Sequence, residues 1–110
     1  MKNTNIETEI SFRFLSVDKF QAFSLYREIF GSSHRKHHKN DSYVCCVPLT
    51  EENFEDINNF YVRQRVELNS CDIFMSVSSA SDTGIVDTPN IVNRMLKHID
   101  CKLTFSFTVS

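Results

Sequence analysis

TPNIVNRMLKHIDCKLTFSFTV, Thr88 to Val109, changes its apolar period once, and that change decides the fold. As far as Ile99 the apolar residues Ile91, Val92, Met95 and Ile99 recur at helical spacing, with Asn93, Arg94 and Lys97 on the other side. Thr88 suits the N-cap, because its hydroxyl can accept from a free amide of the first turn, and Pro89 then takes the first helical position, where no donor is needed. Lys97 and His98 end the helix, where positive charge suits the exposed carbonyls. Beyond Asp100 the period becomes two: Cys101, Leu103, Phe105, Phe107 and Val109 point one way, Lys102, Thr104, Ser106 and Thr108 the other. A helix followed by a strand that buries one face needs a sheet to join and a helix layer to share.

The upstream chain supplies both. Thr8 to Leu15 alternates, with Ile10, Phe12 and Phe14 on one face, and predicts a strand. Asp18 can cap the next helix, whose Phe20, Phe23, Tyr26, Ile29 and Phe30 form an aromatic stripe expected to pack on the sheet, and Gly31 suits a left-handed C-terminal cap. Ser32 to Asp41 is polar, basic and aperiodic, which predicts an exposed loop. Tyr43 to Leu49 reads as a strand with Pro48 near its end. In Thr50 to Leu68, Thr50 can cap a helix from about Glu51 to Asn59. The remainder, YVRQRVEL, fits either a longer helix or a strand. Cys71 to Ser78 alternates again, and Ser79 to Asp87 is a loop turning at Gly84.

These elements predict one α+β domain over residues 1–110. The expected architecture is an antiparallel sheet of about four or five strands with about two or three helices, in the ferredoxin-like βαββαβ order, with an insertion at 50–68. Right-handed crossovers would put the first and third strands of that order at the centre.

Composition narrows the function. With 110 residues and 41% hydrophobic content the chain can build a core without metal or disulfides, and ten Phe with no Trp make that core phenylalanine-rich. The net charge of −2 offers no field to hold a polyanion, so no direct nucleic-acid partner is expected. No run approaches the ~20 apolar residues of a membrane span and the first residues lack a signal-peptide pattern, so a cytoplasmic protein with no membrane partner is expected. Cys45, Cys46, Cys71 and Cys101 all fall on strand patterns, where reduced thiols act as small core hydrophobes.

His34, His37 and His38 place three imidazoles within five residues. A metal site there would want another ligand and neutral rings, whereas Arg35, Lys36 and Lys39 crowd the same stretch, so a solvated basic loop without metal is expected. The adjacent Cys45 and Cys46 lack the spacing of a thioredoxin-like redox pair, and His98 near Asp100 and Cys101 reads as a favourable charge at a helix end. No nucleophile elbow, zinc-protease helix, paired CxxC or phosphate-cradling glycine loop occurs, so neither an enzyme nor a cofactor is expected. The remaining asymmetry is charge. Glu51, Glu52, Glu55 and Asp56 lie within six residues and, with Asp72, Asp82 and Asp87, would form an acidic surface if the loops converge, with Phe60 or Tyr61 as aromatic anchors. Such a cluster is either a solvated helix face or a surface complementary to a basic partner.

The acidic segment TEENFEDINNF and the ending PNIVNRMLKHIDCKLTFSFT resemble the small immunity proteins of bacterial polymorphic toxin systems, of the contact-dependent growth inhibition type, with the likeness covering the C-terminal third. The resemblance implies a cytoplasmic protein that binds a cognate toxin domain, often a nuclease, and covers its active site; the sequence leaves the oligomeric state open, with a monomer favoured. A nuclease groove is basic because it holds phosphates, so an acidic surface would compete for it. The net charge of −2 is modest for that family and leaves room for an apolar interface with a polar rim. A second function class is a ferredoxin-like domain that senses a small ligand or self-associates.

Overall fold

The computed structural model describes residues 6–37, 39–80 and 86–109. In chain order these form β1 (Glu7–Val17), α1 (Lys19–Glu28), β2 (Ser33–Lys36), β3 (Tyr43–Pro48), α2 (Phe54–Arg63), a 3-10 turn (Leu68–Ser70), β4 (Cys71–Ser79), α3 (Asn90–His98) and β5 (Lys102–Val109). The strands make one sheet in the order β2-β3-β1-β4-β5. The α+β class is the one the sequence predicts, and five strands and three helices fall within the expected numbers.

β1 lies in the middle and pairs antiparallel on both sides, with Phe12 between Val47 of β3 and Ile73 of β4, and Phe14 between Cys45 and Cys71. The connection β1-α1-β2 leaves a gap that β3 fills, and β3-α2-β4 leaves a gap that β1 fills. Two interleaved split βαβ units thus make the ferredoxin-like core. The 50–68 segment, read from sequence as an insertion, supplies the second crossover helix. α3 and β5 are the addition: β5 runs parallel to β4, with Leu103 opposite Ile73, so the sheet is mixed and not wholly antiparallel. Parallel neighbours require a crossover, and α3 provides it.

All three helices share one core with one face of the sheet. Ala22, Leu25 and Ile29 of the α1 segment, Phe54, Ile57 and Phe60 of α2, and Val92, Met95 and Ile99 at α3 close over Phe12, Phe14, Val47 and Ile73. Among the described residues no helix covers the other face. There Asp72 is nonetheless 1% exposed, because Arg13 and Thr104 from the flanking strands close on it and the Arg13 guanidinium lies 4.3 Å from the Phe74 ring. Burial pushes the Asp72 carboxyl up, but hydrogen bonds from Arg13 and Thr104 and the charges of Arg13 and Lys102 outweigh it and hold the group below its ordinary value.

Several sequence expectations change. The aromatic stripe of α1 does not pack on the sheet: Ala22 and Leu25 do, and Phe20, Phe23, Tyr26 and Phe30 are exposed. Bulky Phe12 and Phe14 already fill the volume under the helix, so its small and branched row faces inward. Asp18 caps α1 as expected, with Gln21 closing a capping box, but the helix ends at Glu28 and Gly31 (φ 83°) instead turns the chain into β2. β2 itself lies in the segment read as a loop. SHRK carries no apolar period, and its placement comes from backbone pairing along β3, with Ser33 opposite Cys46 and Lys36 opposite Tyr43.

α2 begins at Phe54, later than predicted, because the Thr50 hydroxyl accepts from the Asn53 amide at 3.2 Å and holds 51–53 as a separate turn. It runs to Arg63, bringing Phe60 into the core below Phe54 and Ile57, and Arg65 (φ 54°) then reverses the chain. The alternatives at 60–68 thus resolve as helix followed by turn. α3 starts at Asn90, one residue after the predicted Pro89. On β5, Phe105, Phe107 and Val109 point to the helix side yet remain about half exposed, since the shared core reaches along that strand only to Leu103. The predicted turn at Gly84 lies outside the described residues.

Candidate functional site

α1 carries two apolar rows, and only one is needed for the fold. Ala22, Leu25 and Ile29 are buried, whereas Phe20 is 84% exposed and Tyr26 60%. Phenylalanine side chains left in water forgo about 2 kcal/mol each of burial, so a row of them marks a surface with a use beyond folding.

β2 completes that surface. Its register sets His34 opposite Cys45 on the helix side of the sheet, where the imidazole meets Phe23 at 5.3 Å and Tyr26 at 5.4 Å between ring centroids. Tyr43 from β3 closes the group, 5.9 Å from His34 and 6.1 Å from Phe23. Phe20, Phe23, Tyr26, Arg27 and His34 line an open recess of about 600 Å³. Its rim is cationic, with Arg27 in the wall and the Lys19 ammonium 5.7 Å from the Phe23 ring. Aromatic rings with fixed tilts and a charged rim are the usual anatomy of a protein-binding hot spot.

The predicted acidic residues gather at a second place. Glu51, Glu52, Glu55 and Asp56 line a recess of about 500 Å³ together with Phe54, Arg94 and His98. Arg94 Nη1 bonds Glu51 Oε2 at 2.6 Å, and the same guanidinium lies 4.6 Å from the Phe54 ring, which the His98 ring meets edge-on at 5.4 Å. Four carboxylates therefore face one arginine, leaving an excess of negative charge. The turn that carries Glu51 and Glu52 is joined to the chain just after α1: Asn53 Nδ2 donates to the Phe30 carbonyl at 3.2 Å and the Pro48 carbonyl at 3.1 Å. Phe30, two residues beyond α1, is 93% exposed, and its backbone is thus held beside the acidic turn.

The other predicted residues separate. Phe60, expected as an exposed anchor, is fully buried and meets Phe14 edge-on at 5.2 Å, because it falls on the inward row of α2. Tyr61 is half-buried against the core, and burial pushes its phenol up. Asp87 is exposed on the approach to α3, Asp72 is on the opposite face of the sheet, and Asp82 lies outside the described residues. Of the three histidines clustered at 34–38, His34 joins the aromatic group, the His37 Nδ1 accepts from the Lys39 amide at 3.2 Å, and His38 lies outside the described residues. Among the described residues no three His, Cys, Asp or Glu side chains are grouped as metal ligands, and no helix is long and apolar enough to cross a membrane.

Reading α1 as a single stripe hid the aromatic surface. The available signal was the surplus: Phe20, Phe23, Ala22, Leu25, Tyr26, Ile29 and Phe30 are more apolar side chains than one helix face can present to a sheet. Comparison with protein families, with curated proteins and with solved structures gave no match to this chain.

Proposed function

We propose that this chain is a protein-binding domain that grips its partner with the aromatic row of α1, and that it works as an immunity protein, covering the active site of a bacterial toxin domain. The observation that carries the binding reading is the set of exposed rings, Phe20, Phe23 and Tyr26, grouped with His34 inside a cationic rim. Rings held in place by neighbours lose little entropy on docking and exclude water from the contact. The acidic turn supports the toxin form of the reading. Glu51, Glu52, Glu55 and Asp56 offer charge to the basic groove of a nuclease, and the Asn53 bond to the Phe30 carbonyl ties that segment to the chain leaving α1. The resemblance of the acidic segment and the chain ending to immunity proteins points the same way.

Affinity capture with the product of the adjacent gene, followed by titration against its C-terminal domain, tests this. The expected result is a stoichiometric complex that abolishes the domain's toxicity, and loss of neither toxicity nor free protein overturns the reading.

The second reading, a small-ligand sensor, draws on the size of the aromatic recess, about 600 Å³, which falls in the range of small-molecule sites. A thermal-shift screen with aromatic carboxylates separates the two readings. A specific rise in Tm with no protein complex favours the sensor.

A further inference from the structure

We propose that Cys71 and Cys101 form a peroxide-reactive dithiol, which closes to a disulfide between β4 and β5 on the floor of a surface recess. The register carries the geometry. Asp72 stands opposite Lys102 at the start of the parallel pair, so the residues immediately before them, Cys71 and Cys101, also lie side by side. Neighbouring strands run about 4.8 Å apart, inside the range of about 4.4–6.8 Å between α-carbons that a disulfide accepts. Both side chains turn to the same face, because Asp72 and Lys102 turn to the other, and both belong to the shared core. Both are free thiols.

The pair borders solvent through a surface recess. Leu68, Asn69, Asp100 and Lys102 surround the two cysteines in an open recess of about 410 Å³, ample for hydrogen peroxide. Hydrogen bonding between the two thiols and burial push the Cys71 thiol up. Cys71 Sγ also lies 3.5 Å from the Leu68 carbonyl, which keeps that thiol in place. Cys101, 9% exposed against 2% for Cys71, is the sulfur that meets peroxide first and attacks it, and Cys71 is the resolving one. In the first step the Cys101 thiolate takes one oxygen of hydrogen peroxide, the O–O bond breaks, and hydroxide leaves and gains a proton to become water. In the second, Cys71 attacks the sulfenic sulfur of Cys101. The S–S bond forms, the S–O bond breaks, and the hydroxyl departs as water with the Cys71 proton. Two thiols lose two electrons in all, and one peroxide becomes two waters.

The two other cysteines provide internal controls. Burial and the neighbouring Cys46 push the Cys45 thiol up to about 12, so it reacts slowly, while Cys46 is partly exposed on the opposite face of β3. The reduced full-length chain, treated with equimolar hydrogen peroxide and then alkylated, is read by intact mass and peptide mapping. The expected product is lighter by two hydrogen atoms, contains a Cys71–Cys101 linked peptide, reverts with dithiothreitol, and forms at least about ten-fold faster than Cys45 is lost. Cys46→Ser leaves the link unchanged. The inference is overturned if peroxide first oxidises Cys46, or if Cys101 proceeds to sulfinic acid while Cys71 remains open to alkylation. The wild-type peptide map alone decides between these results, so the test does not depend on a serine variant of either buried thiol folding.

Discussion

Arg13 grips Asp72 with two parallel hydrogen bonds, Nε to Oδ1 at 2.8 Å and Nη2 to Oδ2 at 2.6 Å, across the β1–β4 pair on the helix-free face of the sheet. Thr104 donates a third bond to Oδ2 at 2.8 Å, which ties β5 into the same group. One carboxylate thus holds three strands. Removing a single partner leaves a buried charge uncompensated, so Arg13→Met is expected to cost about 3–5 kcal/mol in urea unfolding. Arg13→Met with Asp72→Leu is expected to recover more than half of that, because no unpaired charge then remains. Equal losses in the single and double variants would show that the site acts through packing alone.

The same carboxylate sets an acid limit. A group held below its ordinary value in the fold takes up its proton more readily once the chain unfolds, so its contribution is complete well above pH 4 and fades as the pH falls through the native value. Urea midpoints measured from pH 7 to pH 2 should therefore fall below about pH 4 in the wild type, and the fall should be shallower in Asp72→Asn. Parallel curves for the two proteins would assign the acid sensitivity to other carboxylates.

The two rows of α1 predict opposite phenotypes. Phe20→Ala and Tyr26→Ala should leave stability within about 0.5 kcal/mol of wild type and weaken partner binding by about 30-fold or more. Leu25→Ala, one row away, should cost about 2–5 kcal/mol of stability. Chemical denaturation beside a binding titration distinguishes the rows. An Ala at Phe20 that unfolds the protein would contradict its placement in water.

At the acidic turn, Glu51→Lys combined with Glu52→Lys and Glu55→Lys should slow association with a basic partner by about ten-fold or more and remove most of its salt dependence, while dissociation changes less. The exposed Glu51–Arg94 pair contributes at most about 1 kcal/mol to stability, so the triple variant should still fold. Association rates across a salt series check this, and a rate unaffected by the three reversals would leave the aromatic row as the sole docking surface.

What could be read from the chain beforehand was periodicity. The alternation of Ile10, Phe12 and Phe14 and that of Ile73, Met75 and Val77 gave strands with an inward face, and the spacing of Val92, Met95 and Ile99 gave α3. Local patterns do not encode which strand finds which neighbour. The parallel placement of β5 follows from the reach of α3, and β2 exists because the free edge of β3 offers hydrogen bonds to a segment without apolar pattern. The acidic cluster was legible because its four residues fall within six positions of the chain. The aromatic site was not, since His34 joins Phe23 and Tyr26 only once the β2–β3 register is fixed, and Phe60 was misplaced because the start of α2 sets which of its aromatics faces in.

Among the described strands β1 is synthesised first and lies at the centre of the sheet, and its two partners begin at Tyr43 and Cys71. On the ribosome, then, the Phe12–Phe14 strand emerges long before either neighbour. It can acquire β3 and the cover of α1 early, but its second edge stays open until residues 71–79 have cleared the exit tunnel. α3 and β5 can add only after that edge has closed. A nascent chain stalled before β4 therefore displays one unpaired, phenylalanine-bearing edge, the form most exposed to chaperone capture or to mispairing with another chain.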